Sequence, residues 1–373
     1  MSSLLIIGAS ARAAAMSATR AGITPRAIDQ FGDVDLSQLG TTSLLKRYPA
    51  EALTLIRNEP DLPWIYTGGL ENHPRLLDRL AASRTLLGNT GSIVRRARDG
   101  LTWRRPLEQA GIAVLPESAD PTGIPTDGSW LAKRRRSAGG LHVRRWTQAT
   151  AAHGLPRGWY LQRFVEGVQL GTTFVAHREE AVFLGATRSL LTTDVPSLPW
   201  LYGGSVGPVP LAEPIQQQLT QLGNLLAREL SLSGLFGVDL ILADDQLYAL
   251  ELNPRYTASV ECLELATGLN SLSLHIAACR GESLPNDVPR GTTLVGKQIV
   301  YARRAVQIEP RHVREWLAAN LDPLRPLIAD IPQVGTTIAP GEPIATVFAS
   351  GNTIDETRLA LEQRADHFLS TCE

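Results

Sequence analysis

Cysteine is scarce in this 373-residue chain, with three in all, at positions 262, 279 and 372. They lack metal-ligand spacing, an odd number cannot all pair, and Cys262 and Cys279 fall in helically patterned segments. A disulfide framework is therefore excluded and a reducing, cytoplasmic setting is expected. Charge of one sign is lacking too: 36 Lys and Arg stand against 37 Asp and Glu. A protein that grips a polyanion usually carries a positive surplus, so no nucleic-acid partner is expected. No apolar run approaches the roughly 20 residues that span a bilayer, and Met1 to Ser3 lead straight into an apolar strand without a basic flank, so neither anchor nor secretory leader is expected. Internal repeats and low-complexity tracts are also missing. Two nucleotide signatures are incomplete: Ser10 and Ala13 stand where the dinucleotide fingerprint needs glycine after Gly8, and no Gly-Lys-Ser/Thr opens a helix as a Walker A loop does.

What is present begins with residues 237–255. Apolar alternation around Asp239 (Val238, Leu240, Leu242) and around Glu251 (Leu247, Ala249, Leu252) marks two strands, with Asp244 and Asp245 in the turn between them. Such a hairpin brings Asp239, Glu251 and Asn253 to one face. Mg²⁺ takes one or two carboxylates plus substrate phosphates, so this oxygen set suits a metal-nucleotide complex, and Arg255 beyond it offers a planar fork to a phosphate or carboxylate. The alternative is plain turn chemistry, with Asn253 satisfying its own backbone before Pro254.

Upstream, an apolar strand at 130–133 delivers Lys133 into a basic loop bearing Ser137, Ala138, Gly139 and Gly140. Glycine lets backbone N–H groups approach an anion closely, and Lys133 adds a point charge; a solvated basic hairpin is the other reading. Residues 158–176 then give strand, bend at Glu166 and Gly167, and strand.

The ordered set of lysine and glycine loop, strand-bend-strand, and Asp with Glu-x-Asn-Pro-Arg resembles the ATP-grasp superfamily from about Ser83 to Leu284. The resemblance implies an α/β ATP-grasp fold with a Rossmann-like N-terminal domain (1–88), a nucleotide-binding domain in two subdomains hinged near 162–167 (89–285), and a small C-terminal β-rich domain (286–373). It implies ATP and Mg²⁺ as cofactors. Lys133 is assigned to the phosphates, Ser137, Gly139 and Gly140 to a flap over them, backbone groups of Arg163 and Val165 to the adenine edge with Gln162 beside them, and Gln169 to the ribose. Asp239, Glu251 and Asn253 match the metal ligands; Arg255 and Lys133 match the catalytic charges. Two positions depart from the pattern: Gln169 replaces the usual ribose carboxylate, and Arg134 follows the lysine where proline is common.

Residues 4–12 form an apolar strand ending in a Gly turn, followed by a small-residue helix to Ala21 and a second strand at 26–29, the start of a parallel sheet. In ATP-grasp enzymes this domain helps bind the other substrate, which makes Arg12 a candidate for a substrate anion; a tight turn with a surface Arg is the alternative. Another strand breaks at Gly68 and Gly69, so Glu71 is either a substrate contact past the strand end or a cap on the helix starting at Pro74. Arg188, inside an apolar strand, needs a structural carboxylate or an anion in the cleft. The basic run through Arg95, Arg96 and Arg98 is expected as a solvated helix face, residues 200–208 as a turn-rich loop, and 215–230 and 257–268 as helices. Pro332, Gly335, Gly341, Pro343, Ile344, Val347, Ala349 and Gly351 resemble the C-terminal β domain of carboxylase-like members, which completes the cleft, makes a subunit contact or caps the fold; a homodimer is thus open.

The expected activity is an ATP-dependent ligase that activates a carboxylate as an acyl phosphate for attack by an amine, with small-molecule partners. Residues 68–72 and 87–89 resemble the tyramine-glutamate ligase branch linked to one-carbon carrier cofactors, which points to an amino acid such as glutamate. The alternatives are a carboxylating enzyme that uses bicarbonate, of biotin-carboxylase or purine type, and a nucleotide-binding protein without catalysis.

Overall fold

The computed structural model describes residues 1–285, 288, 289, 291 and 293–372. The chain opens with alternating strands and helices: β1 (Ser3–Gly8), α1 (Arg12–Arg20), β2 (Thr24–Asp29), α2 (Val34–Leu39), β3 (Thr41–Leu44), α3 (Ala52–Asn58), β4 (Trp64–Tyr66) and α4 (Pro74–Ala81). The strands form a parallel sheet in the order β3-β2-β1-β4. Leu4, Leu5, Ile6 and Ile7 are all fully buried, because helices cover both faces of the central strand and leave no position for a polar side chain. The ends of β1 and β4 lie side by side, with the Ala9 N–H donated to the Gly68 carbonyl.

Two helices, α5 (Gly91–Arg98) and α6 (Gly100–Gln109), lead to the short β5 (Ala113–Val114) and then to a small antiparallel sheet. It consists of β6 (Glu117–Ser118), β7 (Asp127–Arg134), β8 (Val143–Thr147), the single turn α7 (Gln148–Ala151) and β9 (Trp159–Arg163), ordered β6-β9-β7-β8. Only Ala132, Trp146 and Leu161 form its buried centre, so it leans on the rest of the molecule as a flap-bearing unit.

Next come β10 (Val168–His177), β11 (Glu180–Leu191), β12 (Tyr202–Gly207), α8 (Glu213–Leu230), β13 (Gly234–Ala243), β14 (Gln246–Asn253), α9 (Ser259–Thr267) and α10 (Ser271–Cys279). The C-terminal segment adds β15 (Leu294–Tyr301), β16 (Val306–Gln307), α11 (Pro310–Ala318), β17 (Ile328–Ala329), β18 (Thr337–Ile338), β19 (Pro343–Gly351) and α12 (Ile354–Thr371). Strands β15, β17 and β19 extend the central sheet, which runs β17-β19-β15-β12-β11-β10-β13-β14-β5, while β16 and β18 pair with each other. The expected boundary at 285/286 falls on Asn286, outside the described residues.

Helix α8 has Leu219, Leu222, Leu226 and Leu230 at helical spacing, all buried against the sheet around stacked Phe174 and Phe236. A second core joins Leu4, Ile6 and Ala15 of the N-terminal unit to Val175, Leu235 and Leu272 of the central one, so these two parts share apolar packing. No helix among the described residues is long and apolar enough to cross a membrane.

One expectation fails here. Residues 202–207, read as loop from their glycines, form strand β12 between β11 and β15. A Cβ at Gly204 would overlap the Lys297 carbonyl, so that glycine serves close backbone approach within a sheet.

Candidate active site

Strands β13 and β14 pair with Asp239 opposite Glu251 and Gly237 opposite Asn253. The turn residues Asp244 and Asp245 both have positive φ, the signature of a tight hairpin turn that matches strand twist. Asp239, Glu251 and Asn253 all line one cavity of about 280 Å³. The Asn253 amide donates to Asp239 Oδ2 at 3.0 Å, while its oxygen accepts from Arg255 at 3.2 Å. Burial, then the neighbouring Glu251, pushes the Asp239 carboxyl up to about 7, against the pull of Arg255, Lys133 and the Asn253 hydrogen bond.

Among the described residues no group of three or more His, Cys, Asp or Glu side chains is placed to hold a metal. Two crowded carboxylates with one amide fit Mg²⁺ nonetheless, since that ion takes few protein ligands and completes its octahedron with water and phosphate. Because Asp239 must lose its proton to bind a cation, Mg²⁺ affinity is expected to rise with pH through about 7 and then level off, with proton release on binding. Calorimetry in two buffers of different ionisation heat checks this; a flat profile would refute it.

Across the cleft, Lys133 is the penultimate residue of β7, and its ammonium donates to Gln162 Oε1 at 3.0 Å. The Gln162 amide in turn donates to Glu117 Oε1, which is also paired with Arg104. Burial disfavours the charged lysine, yet Tyr160, Glu251 and Glu117 hold its pKa above the ordinary value, so it stays a cation. Gln162, which lines the cavity beside Arg163, is thereby committed to positioning Lys133, its side chain buried between two charges.

The loop after β7 lies against β12. Gly139 accepts from the Tyr202 N–H at 2.9 Å, Gly139 and Gly140 have positive φ, and a Cβ on Gly140 would overlap the Trp200 carbonyl oxygen. Ser137 bonds His142 through its hydroxyl. Gly140→Ala is therefore expected to keep the loop off β12 and to weaken nucleotide binding by roughly 10-fold, equivalent to about 1.4 kcal/mol, with little change in the unfolding midpoint. Titration with a fluorescent ATP analogue measures it.

At the hinge, Arg163 and Val165 line the cavity, but the Arg163 N–H is donated to the Pro116 carbonyl, so that donor is already used. Of the backbone groups expected to read an adenine edge, the Arg163 N–H is therefore unavailable. Gln169 lines the same cavity, half-buried.

Arg255, its side chain 12% exposed, donates to Glu71 Oε1 at 2.5 Å, and Arg98 reaches the same oxygen at 3.3 Å. Burial raises the Glu71 carboxyl, but these two cations hold it below its ordinary value. Glu71 is thus the counter-charge that orients Arg255, which corrects the expectation of a direct substrate contact. Arg95 and Arg96 are exposed, as expected of a solvated face, but Arg98 of the same run lines the cavity and pairs with Glu251, and Arg104 on α6 is buried against Glu117. Patterning along one helix gave no sign of this. Arg98 lies 153 residues from Glu251, and only the fold brings them together. Tyr202 and Trp200 are likewise cavity residues that the sequence did not single out, as is Glu117 behind Gln162.

Two candidates lie elsewhere. Arg188 is exposed and outside the cavity, whereas Ser189 and Leu191 line it. Strand alternation turns the arginine to the opposite face. Arg12 is 1% exposed and saturated by protein carboxylates, bonding Glu261 through NH1 and Asp330 through Nε at 2.8 Å. Both expectations of a substrate anion are therefore corrected.

Residues 98–259 match the ATP-grasp domain family. The lysine strand, flap loop, hinge and carboxylate hairpin all lie in that span, which is thus an ATP-grasp domain within the chain. Its fold is similar over nearly its whole length to that of a phosphoribosylamine–glycine ligase of Thermotoga maritima: TM-score 0.72, 16% identity, covering 98% of this chain and 96% of that one. It is also similar to an N5-carboxyaminoimidazole synthase of Aspergillus clavatus in complex with ADP and 5-aminoimidazole ribonucleotide, with TM-score 0.70, 14% identity and 98% of each chain covered. An uncharacterised protein of Methanocaldococcus jannaschii is 23% identical over 198 residues, 53% of this chain; the chain spans 43% of that relative's length.

Proposed function

We propose that the protein is an ATP- and Mg²⁺-dependent carbon–nitrogen ligase that activates a carboxylate as an acyl phosphate and joins it to an amine. One observation carries this reading: Lys133 and Arg255 line the same cavity as the Asp239–Glu251–Asn253 hairpin, beneath a glycine flap. Mg²⁺, when bound, supplies charge neutralisation of the nucleotide phosphates. Asp239, Glu251 and Asn253 hold it. Lys133 and Arg255 set fixed positive charge where negative charge builds up as the γ-phosphoryl passes to the carboxylate, with Gln162 and Glu71 locking their positions. The Ser137–Gly140 flap keeps water from the acyl phosphate, and attack by the amine then forms the C–N bond as phosphate leaves.

The test is ADP release from MgATP with panels of amino acids and amines. Release that needs a carboxylate and an amine together, with a hydroxamate formed when hydroxylamine replaces the amine, supports the ligase. Similarity to the carboxyaminoimidazole synthase fold favours a second reading in which bicarbonate is the acceptor. Release driven by bicarbonate in the absence of other carboxylates selects that reading. Tight ATP binding without release under any acceptor selects a nucleotide-binding role, for which the uncharged Gln169 is the supporting feature.

A further inference from the structure

A second cavity of about 580 Å³ adjoins the nucleotide cleft. Ala138, Tyr202, Arg255, Thr257 and Ala258 line both. Its other walls come from the ends of β1 and β4 and from the C-terminal β18 and β19. Beside Asp29, whose carboxylate accepts the Ala11, Phe31 and Gly32 N–H groups, four more carboxyl groups, Asp33, Asp35, Asp330 and Glu261, gather about two cations, Arg12 and Lys297.

Three of the four carboxyls are satisfied. Glu261 takes Arg12 and Lys297, the latter at 3.2 Å. Asp330 takes Arg12 and the Thr346 hydroxyl. Asp35 accepts the backbone N–H groups of Asp330 and Ile331 at 3.0 and 2.9 Å. Asp33 differs: it is 4% exposed and lines the cavity, and among the described residues its side chain has no hydrogen bond or ion pair. A buried polar group without a partner is costly, and folded proteins satisfy nearly all of them. Here the protein offers no donor, and both nearby cations are already spent on Glu261 and Asp330. Burial and the neighbouring Asp330, Asp35 and Asp29 push the Asp33 carboxyl up to about 9, so the unliganded chamber holds a proton there, which a cation entering from the cavity displaces. Apolar side chains on the rest of the wall are Phe31, half exposed at 50%, Ile299 and Ile338, among polar groups such as Ser10, Gln333 and Thr337.

We propose that this chamber binds a primary amine as its ammonium on Asp33, with a hydrocarbon body against Phe31, Ile299 and Ile338. That this amine is the acceptor in ligation rests on the reading above; the binding itself does not.

The experiment is calorimetric titration of the full chain with MgADP present, using hexylamine and 2-phenylethylamine, the matching alcohols, and hexanoate. The amines are expected to bind at least ~10-fold more tightly than the alcohols or hexanoate, and Asp33→Asn to remove that advantage with MgADP affinity unchanged. Equal binding of alcohol and amine by the unaltered protein overturns the proposal without any variant having to fold. So does full amine affinity in Asp33→Asn. The two readings separate cleanly. Asp33-dependent amine binding, with no carboxylate and amine pair releasing ADP, removes the ligase and leaves the chamber. Amine-dependent ADP release whose amine KM is untouched by Asp33→Asn removes the chamber and leaves the ligase.

Discussion

Glu251→Gln is expected to lower ADP release by at least ~10²-fold while the unfolding midpoint stays within a degree or so of the parent, on the scale of losing one transition-state electrostatic contact. The side chain is 39% exposed and pairs with Arg98 at the cleft wall, so its charge contributes little to the fold. Glutamine keeps the shape and can still accept from Arg98. What it removes is one of only two anionic ligands on the hairpin. Glu251 is also the largest charge acting to raise the Asp239 carboxyl. The variant should therefore bring Asp239 down from about 7, so the pH dependence of Mg²⁺ binding shifts to lower pH even as affinity falls. Steady-state ADP release across Mg²⁺ concentrations, with thermal unfolding alongside, reads both effects. Turnover retained near the parent level would show that the divalent cation is held elsewhere.

That hairpin was legible in the sequence because everything that makes it is local. Period-two alternation gives the strands, Asp244 and Asp245 tolerate the positive φ of the turn, and the spacing puts Asp239 opposite Glu251. The same holds for α8, whose leucine stripe is a property of one helix, and for the glycine-bearing loop after β7. Features set by long-range pairing were not legible. An arginine at a strand end facing a ligand and one facing a distant carboxylate look alike in sequence; Arg12 is 249 residues from Glu261 and 318 from Asp330. Arg98 and Arg104 illustrate the converse, since charged runs on a helix are usually solvated and only the crossing with β14 and β6 makes these two structural. Glycine misled at β12 for a related reason: the residue that permits a turn also permits a neighbouring backbone to come close, and the chain alone does not say which is needed.

Arg12→Ala distinguishes the two meanings of that arginine and is expected to have the largest effect on stability. Glu261 is fully buried, and although burial raises its carboxyl, Arg12 and then Lys297 hold it below its ordinary value. Without Arg12, Glu261 keeps only Lys297, and Asp330 keeps only the Thr346 hydroxyl. Breaking a buried pair from one side costs about 3–5 kcal/mol, because the remaining charge is left undersatisfied, and two carboxylates are stranded here. A Tm lower by roughly 5–15 °C follows, from a few degrees per kcal/mol in a chain of this size. Arg12→Lys should fall between, since an ammonium can pair with one carboxylate but cannot span Glu261 and Asp330 as the guanidinium fork does. Adding Glu261→Gln to Arg12→Ala should recover part of the loss, because it removes one stranded charge. A substrate-binding arginine gives the opposite pattern: an unchanged Tm with a raised KM for one substrate. That outcome would return Arg12 to the cleft and break the account of the carboxylate cluster around it, whereas a large loss of Tm fixes Arg12 as the tie between α1, α9 and the segment after β17.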